Sequence, residues 1–185
     1  MADISDKIIA GCKKGDGHSQ EELYRLLAPG MYGLCLKYAG DRDDAKDILQ
    51  EGFIKVFRKI EQYGGKGSFE GWVRRIMINT ALEKYRSTSM IYPLDERMNT
   101  IEENEHTNVL DHLSVEDLLS LVQQLTPQYR MVFNLYAIEG YTHKEISEMM
   151  GITEGTSKSN LSRARTILQQ KIRELYIIPG KKKNA

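Results

Sequence analysis

Side chains suited to binding nucleic acid are concentrated near the C-terminal end of the sequence. Residues 154–177 carry apolar side chains at three- and four-residue intervals, which predicts an amphipathic helix. Its opposite face and flanks carry cationic, hydroxyl and amide side chains: Thr156, Lys158, Ser159, Asn160, Ser162, Arg163 and Arg165. Arginine can make two hydrogen bonds to guanine and asparagine two to adenine, whereas lysine and serine suit phosphate oxygens. The pattern predicts a helix that reads the major groove of duplex DNA.

A second predicted helix, residues 142–150, precedes this one at the spacing of a helix-turn-helix motif. Gly151 would make the tight turn, and Ile152 would fill the corner between the helices. A plain helical hairpin with a solvated basic surface has the same spacing, so the spacing alone leaves both interpretations open. The charge favours DNA, because residues 156–185 hold eight bases, including lysines 181–183, against the single acid Glu174.

The predicted helix over residues 42–62 has two faces of different kinds. The core side is apolar: Ala45, Leu49, Phe53, Val56, Phe57 and Ile60. About half a turn away lie Asp47, Gln50, Glu51 and Ile54, an isoleucine within polar and mostly acidic surroundings. Such a surface suits docking onto another protein, because its acids would repel phosphate. A solvated face with one incidental isoleucine is the alternative that the residues alone leave open.

A third group of candidate residues lies between positions 62 and 88. The glycine-rich loop 62–68 contains Lys66 and Ser68 and could admit a flipped base beside a helix N-terminus. It is not a phosphate-binding P-loop, because the GK[ST] signature is missing. On the helix that follows, one face carries Arg75, Asn79, Leu82 and Arg86, and the core side carries Phe69, Trp72, Val73, Ile76 and Thr80. The first face is predicted to grip single-stranded DNA.

Apolar residues recur at helical intervals along nearly the whole sequence, and no stretch shows the alternation of a half-buried strand. The predicted fold is therefore all-α, with helices near residues 4–14, 20–39, 42–62, 69–88, 114–125, 127–139, 142–150 and 154–177. The predicted N-caps of three of these helices are Ser68, Ser114 and Thr126. Residues 91–113 are rich in acids and contain Pro93, which predicts a flexible linker. This linker would separate two small helical domains, residues 1–90 and 114–180, and residues 181–185 would form a basic tail.

Composition excludes several classes of protein. The net charge is zero, since the acidic middle offsets the basic end. No apolar run is long enough to span a bilayer, and the N-terminus lacks the pattern of a signal peptide, so we expect a cytoplasmic protein without membrane contact. Cys12 and Cys35 are flanked by apolar residues at helical spacing and are predicted to be reduced core residues. No metal site or cofactor is predicted.

Two rival classes of function find little support in the residues. The four histidines are scattered and no nucleophile, base or metal-ligand arrangement accompanies them, so an enzyme is not predicted. A two-component response regulator would need a parallel α/β receiver domain, for which no strand pattern exists. A helix-turn-helix transcriptional regulator that acts by binding DNA alone is the alternative that the residues leave open.

Residues 141–165, YTHKEISEMMGITEGTSKSNLSRAR, resemble region 4.2 of the extracytoplasmic-function sigma factors, which follows the pattern YSYEEIAEILGIPEGTVKSRLSRAR. Ser157 stands where the family has valine, which weakens a packing contact, and Asn160 stands where it has arginine, which removes a DNA contact. Residues 44–53, DAKDILQEGF, resemble region 2.2, and residues 68–86, SFEGWVRRIMINTALEKYR, resemble regions 2.3 and 2.4. The resemblance covers about residues 20–88 and 114–177 in the family's order.

This resemblance implies a transcription initiation factor with a sigma region 2-like bundle and a region 4-like helix-turn-helix domain. Asp47, Gln50, Glu51 and Ile54 would bind the clamp helices of the largest subunit of core RNA polymerase. The melted −10 strand of promoter DNA would be held by Lys66, Ser68, Arg75, Asn79 and Arg86. The second domain would also meet the β flap, and the linker would thread toward the RNA exit path. The −35 duplex would be bound by Thr156, Lys158, Ser159, Asn160, Ser162, Arg163 and Arg165. An anti-sigma factor is a further implied partner.

Overall fold

The computed structural model describes residues 4–91 and 114–177, and within these ranges the chain forms helices and turns without a strand. The α-helices are α1 Asp6–Lys13, α2 Gly17–Tyr38, α3 Arg42–Lys59, α4 Phe69–Ile91, α5 Val115–Gln123, α6 Pro127–Phe133, α7 His143–Met150 and α8 Glu154–Ile177. The all-α prediction is confirmed. Two predicted helices change type before they end: α3 continues as a 3-10 turn, Ile60–Gln62, and α6 as a π-helical turn, Asn134–Ile138.

The chain divides into two compact units, one reaching to Ser87 and the other beginning at Thr88. The predicted linker, apart from its first residue at the end of α4, and the whole basic tail lie outside the described residues. The predicted domain limits at residues 90, 113 and 180 therefore stay predictions. Within the described ranges, no helix combines the length and the apolar character needed to cross a membrane.

The first unit packs α1, α2, α3 and α4 around one apolar core. Its fully buried side chains include Leu23, Met31, Ile48, Val56, Val73 and Met77. The predicted core side of α3 is buried except for Phe57, which is half-buried. Gly52 lies where α3 meets α4, and a methyl group at this position would collide with the Met77 side chain. Glycine therefore permits the close approach of the two helices that carry the candidate binding residues.

Both cysteines lie inside this unit, as predicted, at 2% and 1% exposure for Cys12 and Cys35. Burial raises the pKa of the Cys12 thiol and raises that of Cys35 to about 12. Because the thiolate is the reactive form, we expect neither cysteine to react with a thiol-specific reagent in the native protein at pH 8. Both should react at once in denaturant. Rapid native labelling of Cys35 would contradict its assigned place in the core.

The second unit packs α5, α6 and α8 around a cluster of buried residues: Leu121, Val122, Leu125, Ala164 and Leu168. A capping box begins α5, in which Ser114 Oγ accepts a hydrogen bond from the amide of Asp117 and the Asp117 carboxylate accepts one from the amide of Ser114. Thr126 occupies the predicted N-cap of α6 but makes no side-chain cap bond there, and Pro127 follows at the first helical position. These contacts fix the platform on which α8 lies.

The turn between α7 and α8 has the geometry of the predicted helix-turn-helix motif. Thr142 caps α7 through a capping box with Glu145. Gly151 ends the helix with φ 68°, a left-handed conformation that glycine adopts without steric cost. Thr153 Oγ1 then accepts a hydrogen bond from the amide of Thr156 at 3.0 Å, which caps the first turn of α8. Ile146 is fully buried and Ile152 half-buried, so the corner is packed.

Candidate protein-docking and nucleic-acid interfaces

The acidic docking face of α3 consists of Asp47, Gln50, Glu51 and Ile54. All four side chains are exposed, and Ile54 retains 51% of its accessible surface. The opposite side of α3 is buried against the core, so the helix cannot turn this face inward. An apolar side chain surrounded by carboxylates and an amide is thus presented to solvent, as a docking surface for a partly basic protein would require.

Lysines already contact the acids of this face. Lys55 Nζ lies 2.8 Å from Glu51 and 2.6 Å from Glu83 of α4. Lys84 of α4 lies 2.5 Å from Asp44 and 3.3 Å from Asp47. Partial burial lowers the pKa of Lys84, but the hydrogen bonds and the charge attraction of the two carboxylates together outweigh this effect and leave the pKa raised.

These ion pairs tie the docking helix to α4. Asp47 keeps 72% of its side-chain exposure and Glu51 53%, and pairs so open to water stabilise a fold only weakly. Basic groups of a partner protein could therefore replace Lys55 and Lys84 as partners of Glu51 and Asp47, at a small cost in folding free energy. The pairing of Glu51 with Lys55 follows the i, i+4 spacing and was visible in the sequence, whereas the contacts of Lys84 depend on tertiary packing.

The candidate strand-binding face of α4 carries Arg75, Asn79 and Arg86, which are all exposed. Leu82 was expected on the same face, and this expectation is wrong, because its side chain is 1% exposed and belongs to the core. The core side of α4 is wider than predicted, since Met77 and Ile78 are buried as well. The candidate face for single-stranded DNA is therefore polar along its described length.

The loop before α4 is braced by three aromatic rings. Tyr63, Phe69 and Trp72 contact one another with ring centroids 4.9 to 5.7 Å apart. The hydroxyl of Tyr63 donates a hydrogen bond to the carbonyl of Gly67 at 2.8 Å. Trp72 thus packs against two rings, as expected of a core-side residue, although its side chain is only half-buried. The bracing holds the exposed Lys66 and Ser68 beside the first turn of α4.

Ser68 stabilises the start of α4, in addition to its predicted role in binding DNA. Its Oγ accepts a hydrogen bond from the amide of Gly71 at 3.1 Å and so caps α4, as the sequence predicted. Gly65 and Gly67 adopt positive φ angles of 75° and 78°, which turn the loop tightly in front of that cap.

The duplex-binding face of α8 consists of Lys158, Ser159, Ser162, Arg163 and Arg165. All five side chains are exposed, and Thr156 beside them is half-buried. The expectation that Asn160 belongs to this face is wrong, because its side chain is 4% exposed and its Nδ2 makes no hydrogen bond among the described residues. The buried stripe of α8 continues from Leu161 back through Asn160 and Ser157, so position 160 points into the domain.

Two tyrosines, which the sequence did not single out, lie beside the arginines of this face. Arg163 Nη1 donates a hydrogen bond to the hydroxyl of Tyr129 at 3.4 Å. The guanidinium of Arg165 lies over the ring of Tyr136, 5.7 Å from its centroid. Both tyrosines come from the segment 127–138, which packs against α8. No spacing rule within α8 could have identified them.

His143, at the start of α7, connects these groups to the buried side of α8. Its ring stacks on Tyr136 with centroids 4.5 Å apart and an interplanar angle of 22°. Its Nδ1 lies 2.9 Å from the hydroxyl of Ser157, which is fully buried. Burial and the positive charges of Lys158 and Arg165 hold the pKa of His143 below its usual range, so the ring is neutral at neutral pH.

Comparison with known proteins matches two families on this chain. The family described as sigma-70 region 2 matches residues 23–90, and the one described as sigma-70 region 4 matches residues 115–168. The ECF RNA polymerase sigma factor SigE of Mycolicibacterium smegmatis is 34% identical over 82% of this chain, which spans only 60% of that relative's length. The ECF RNA polymerase sigma-E factor of Haemophilus influenzae is 30% identical, over 91% of this chain and 95% of the relative.

A similar fold occurs among solved structures. The sigma factor RpoE of Bartonella quintana, determined in complex with the anti-sigma factor NepR, superposes with a TM-score of 0.52 at 19% identity. The match covers 84% of this chain and 97% of the other. The candidate faces on α3 and α4 fall within the region 2 match, and the face on α8 falls within the region 4 match.

Proposed function

The chain belongs to the extracytoplasmic-function (ECF) family of sigma-70 type RNA polymerase sigma factors, and from this premise we propose how its surfaces divide the work of transcription initiation. The observation that carries the proposal is the joint presence of both sigma regions, in family order, each with a surface of the charge that its task needs. The acidic docking face binds core polymerase, and the faces of α4 and α8 bind promoter DNA.

Docking on core polymerase rests on the α3 face. The exposed Ile54 supplies an apolar contact, and Asp47 and Glu51 exchange their lysine partners for basic groups of the polymerase clamp helices. The carboxylates of Asp47 and Glu51 are open to water, so their ion pairs contribute little. Lys55 and Lys84 keep Glu83 and Asp44 as partners, so the exchange costs little stability. Gln50 contributes an uncharged donor and acceptor between the two acids.

The −10 element of the promoter is bound by α4 and the loop before it. Arg75 and Arg86 grip backbone phosphates of the melted strand and Asn79 meets a base edge. Lys66 and Ser68 line the braced loop, where a flipped base lies beside the N-terminus of α4. Binding the separated strand but not the duplex favours the open state, and the polymerase performs the chemistry.

We expect the double variant Arg75→Ala with Asn79→Ala to form open complexes about ten- to thirtyfold less readily, because each lost contact costs about 1 kcal/mol. Permanganate reactivity of promoter thymines in the complex of core polymerase with this chain, the holoenzyme, measures the effect. Arg25→Ala, which removes an exposed arginine from α2, is the control. Equal thymine reactivity in the double variant and the wild type would remove the α4 face from strand binding.

The −35 element is bound as duplex by the α8 face. Arg163 and Arg165 suit base edges or phosphates in the major groove, and Lys158, Ser159 and Ser162 suit phosphates. Asn160 takes no part, because it is buried. The second unit also meets the β flap of the polymerase, and an anti-sigma factor holds the protein inactive in the cytoplasm. The complex of the similarly folded Bartonella quintana sigma factor with the anti-sigma factor NepR supports a partner of this kind.

In-vitro transcription tests the proposed function directly. Purified core polymerase is mixed with sheared genomic fragments, with and without the full chain, and transcripts are sequenced. We expect new start sites that depend on the chain. One fragment that carries such a site, the selected promoter, serves as the DNA probe for binding experiments. A regulator that binds DNA without polymerase would give no new start sites with core polymerase alone, and that result would favour the alternative.

A further inference from the structure

Four side chains form a continuous series of contacts that begins and ends on α8. This series, called the brace, consists of Ser157, His143, Tyr136 and Arg165. Ser157 and Arg165 both belong to α8 and lie eight residues apart, about two helical turns. Between them stand His143, at the start of α7, and Tyr136, in the π-helical turn. The contacts run from Ser157 Oγ to His143 Nδ1 at 2.9 Å, from the His143 ring to the Tyr136 ring at 4.5 Å, and from that ring to the Arg165 guanidinium at 5.7 Å.

Each end of this brace is anchored differently. Ser157 is fully buried, so the hydroxyl that holds His143 cannot move into solvent. Arg165 is exposed, and the Tyr136 ring attracts its positive charge. The rigid end therefore limits the position of the two rings, and the rings limit the position of the guanidinium.

We propose that His143 and Tyr136 are positioning residues of the −35 interface, which hold the guanidinium of Arg165 in its DNA-binding orientation before DNA arrives. The inference rests on the proposed function of α8. A long arginine side chain loses rotamer freedom when it binds, and an interaction that fixes it beforehand reduces that loss. The neutral state of the His143 ring suits this task, because a charged ring would repel both Lys158 and Arg165.

A double-mutant cycle on the holoenzyme tests the positioning role. The probe is the selected promoter as a labelled duplex, and its dissociation constant is measured for the wild type, His143→Ala, Arg165→Ala and the combination of both. We expect His143→Ala to weaken binding about two- to fivefold, the range of a cation–π contact. In the Arg165→Ala background the same substitution should change affinity by less than about 1.5-fold, because no guanidinium remains to be positioned.

A variant that keeps the ring stack but removes the hydrogen bond separates positioning from folding. His143→Phe with Ser157→Ala replaces both polar partners by apolar groups, so no buried donor or acceptor is left unpaired. This pair should retain at least half of the wild-type affinity, since an apolar contact at the buried position 157 replaces the hydrogen bond as the anchor and the ring stack on Tyr136 is preserved. A loss as large as that in His143→Ala would overturn the role of the ring stack.

The outcomes distinguish this inference from the function on which it rests. If Arg165→Ala and His143→Ala both weaken binding but their effects add, His143 acts independently of Arg165 and the positioning role is overturned. An unchanged affinity in His143→Ala overturns it as well. If Arg165→Ala binds like the wild type, or if no fragment yields a selected promoter, the assignment of α8 to the −35 duplex fails, and the inference falls with it.

Discussion

Reversing the charge of the acidic docking face, with Asp47→Arg and Glu51→Arg together, should abolish binding to core polymerase. Two acids that meet basic groups become two bases that repel them, and like charges brought together in an interface cost several kcal/mol, so we expect a loss of about hundredfold or more. Lys55 and Lys84 would each lose one partner but keep Glu83 and Asp44 respectively. The lost pairs contribute little to stability, because their acids are open to water. Co-elution with core polymerase on gel filtration measures the loss.

Matched variants make this result specific. Glu21→Arg with Glu61→Arg changes the net charge by the same amount at two exposed positions outside the docking face and should leave polymerase binding intact. Asp47→Asn with Glu51→Gln removes the attraction without adding repulsion and should weaken binding by a smaller factor. The affinity of the chain alone for duplex DNA, measured without polymerase, should stay unchanged in all of them. Loss of this polymerase-independent duplex binding together with polymerase binding would overturn the proposed division of labour.

The second large effect is expected at Arg163. Its side chain is exposed on the duplex-binding face, and the hydroxyl of Tyr129 contacts one end of the guanidinium. If Arg163 forms two hydrogen bonds with a guanine, Arg163→Ala should weaken binding of the holoenzyme to the selected promoter by about 1–3 kcal/mol and relax specificity at one base pair. If Arg163 contacts only a phosphate, the loss of affinity should be smaller and independent of DNA sequence. The slope of log affinity against log salt concentration should then fall by about 1.

Lys171→Ala is the matched control for Arg163, because it removes one positive charge from the same helix. Lys171 Nζ donates a hydrogen bond to Gln124 at 2.8 Å and lies on the side of α8 that faces α5. We expect duplex binding close to that of the wild type in this variant. If Arg163→Ala and Lys171→Ala lower the affinity equally, the effect is one of general charge and Arg163 is not part of a specific interface.

The sequence predicted the helices and the two-faced character of α3 well, because both depend on local periodicity. The buried side of α3 fixes which side chains stay outside, and the exposure of Ile54 among acids follows from that constraint. The capping residues Ser68 and Ser114 were predictable for the same reason, since a cap bonds to an amide three residues away.

Residues whose roles depend on packing between elements could not be predicted in this way. Asn160 was assigned to the outer face from its chemical type, but the buried stripe of α8 is wider than its apolar residues indicate. Leu82 was placed on the outer face of α4, although its apolar side chain belongs to the core. The ion pairs of Lys84 and the contact of Arg165 with the Tyr136 ring join segments far apart in the sequence, so no spacing rule anticipates them.

Hydroxyl-radical footprinting of the selected promoter tests the central claim most directly, because it reports the contacts of each surface separately. Wild-type holoenzyme should protect an upstream duplex segment near −35 and a downstream segment near −10. With Arg163→Ala, only the upstream protection should weaken. With Arg75→Ala and Asn79→Ala together, only the downstream protection should weaken. With Asp47→Arg and Glu51→Arg together, both protections should vanish, because no holoenzyme forms. Upstream protection that survives Arg163→Ala but disappears with Arg75→Ala and Asn79→Ala would contradict the assignment of the surfaces to their promoter elements.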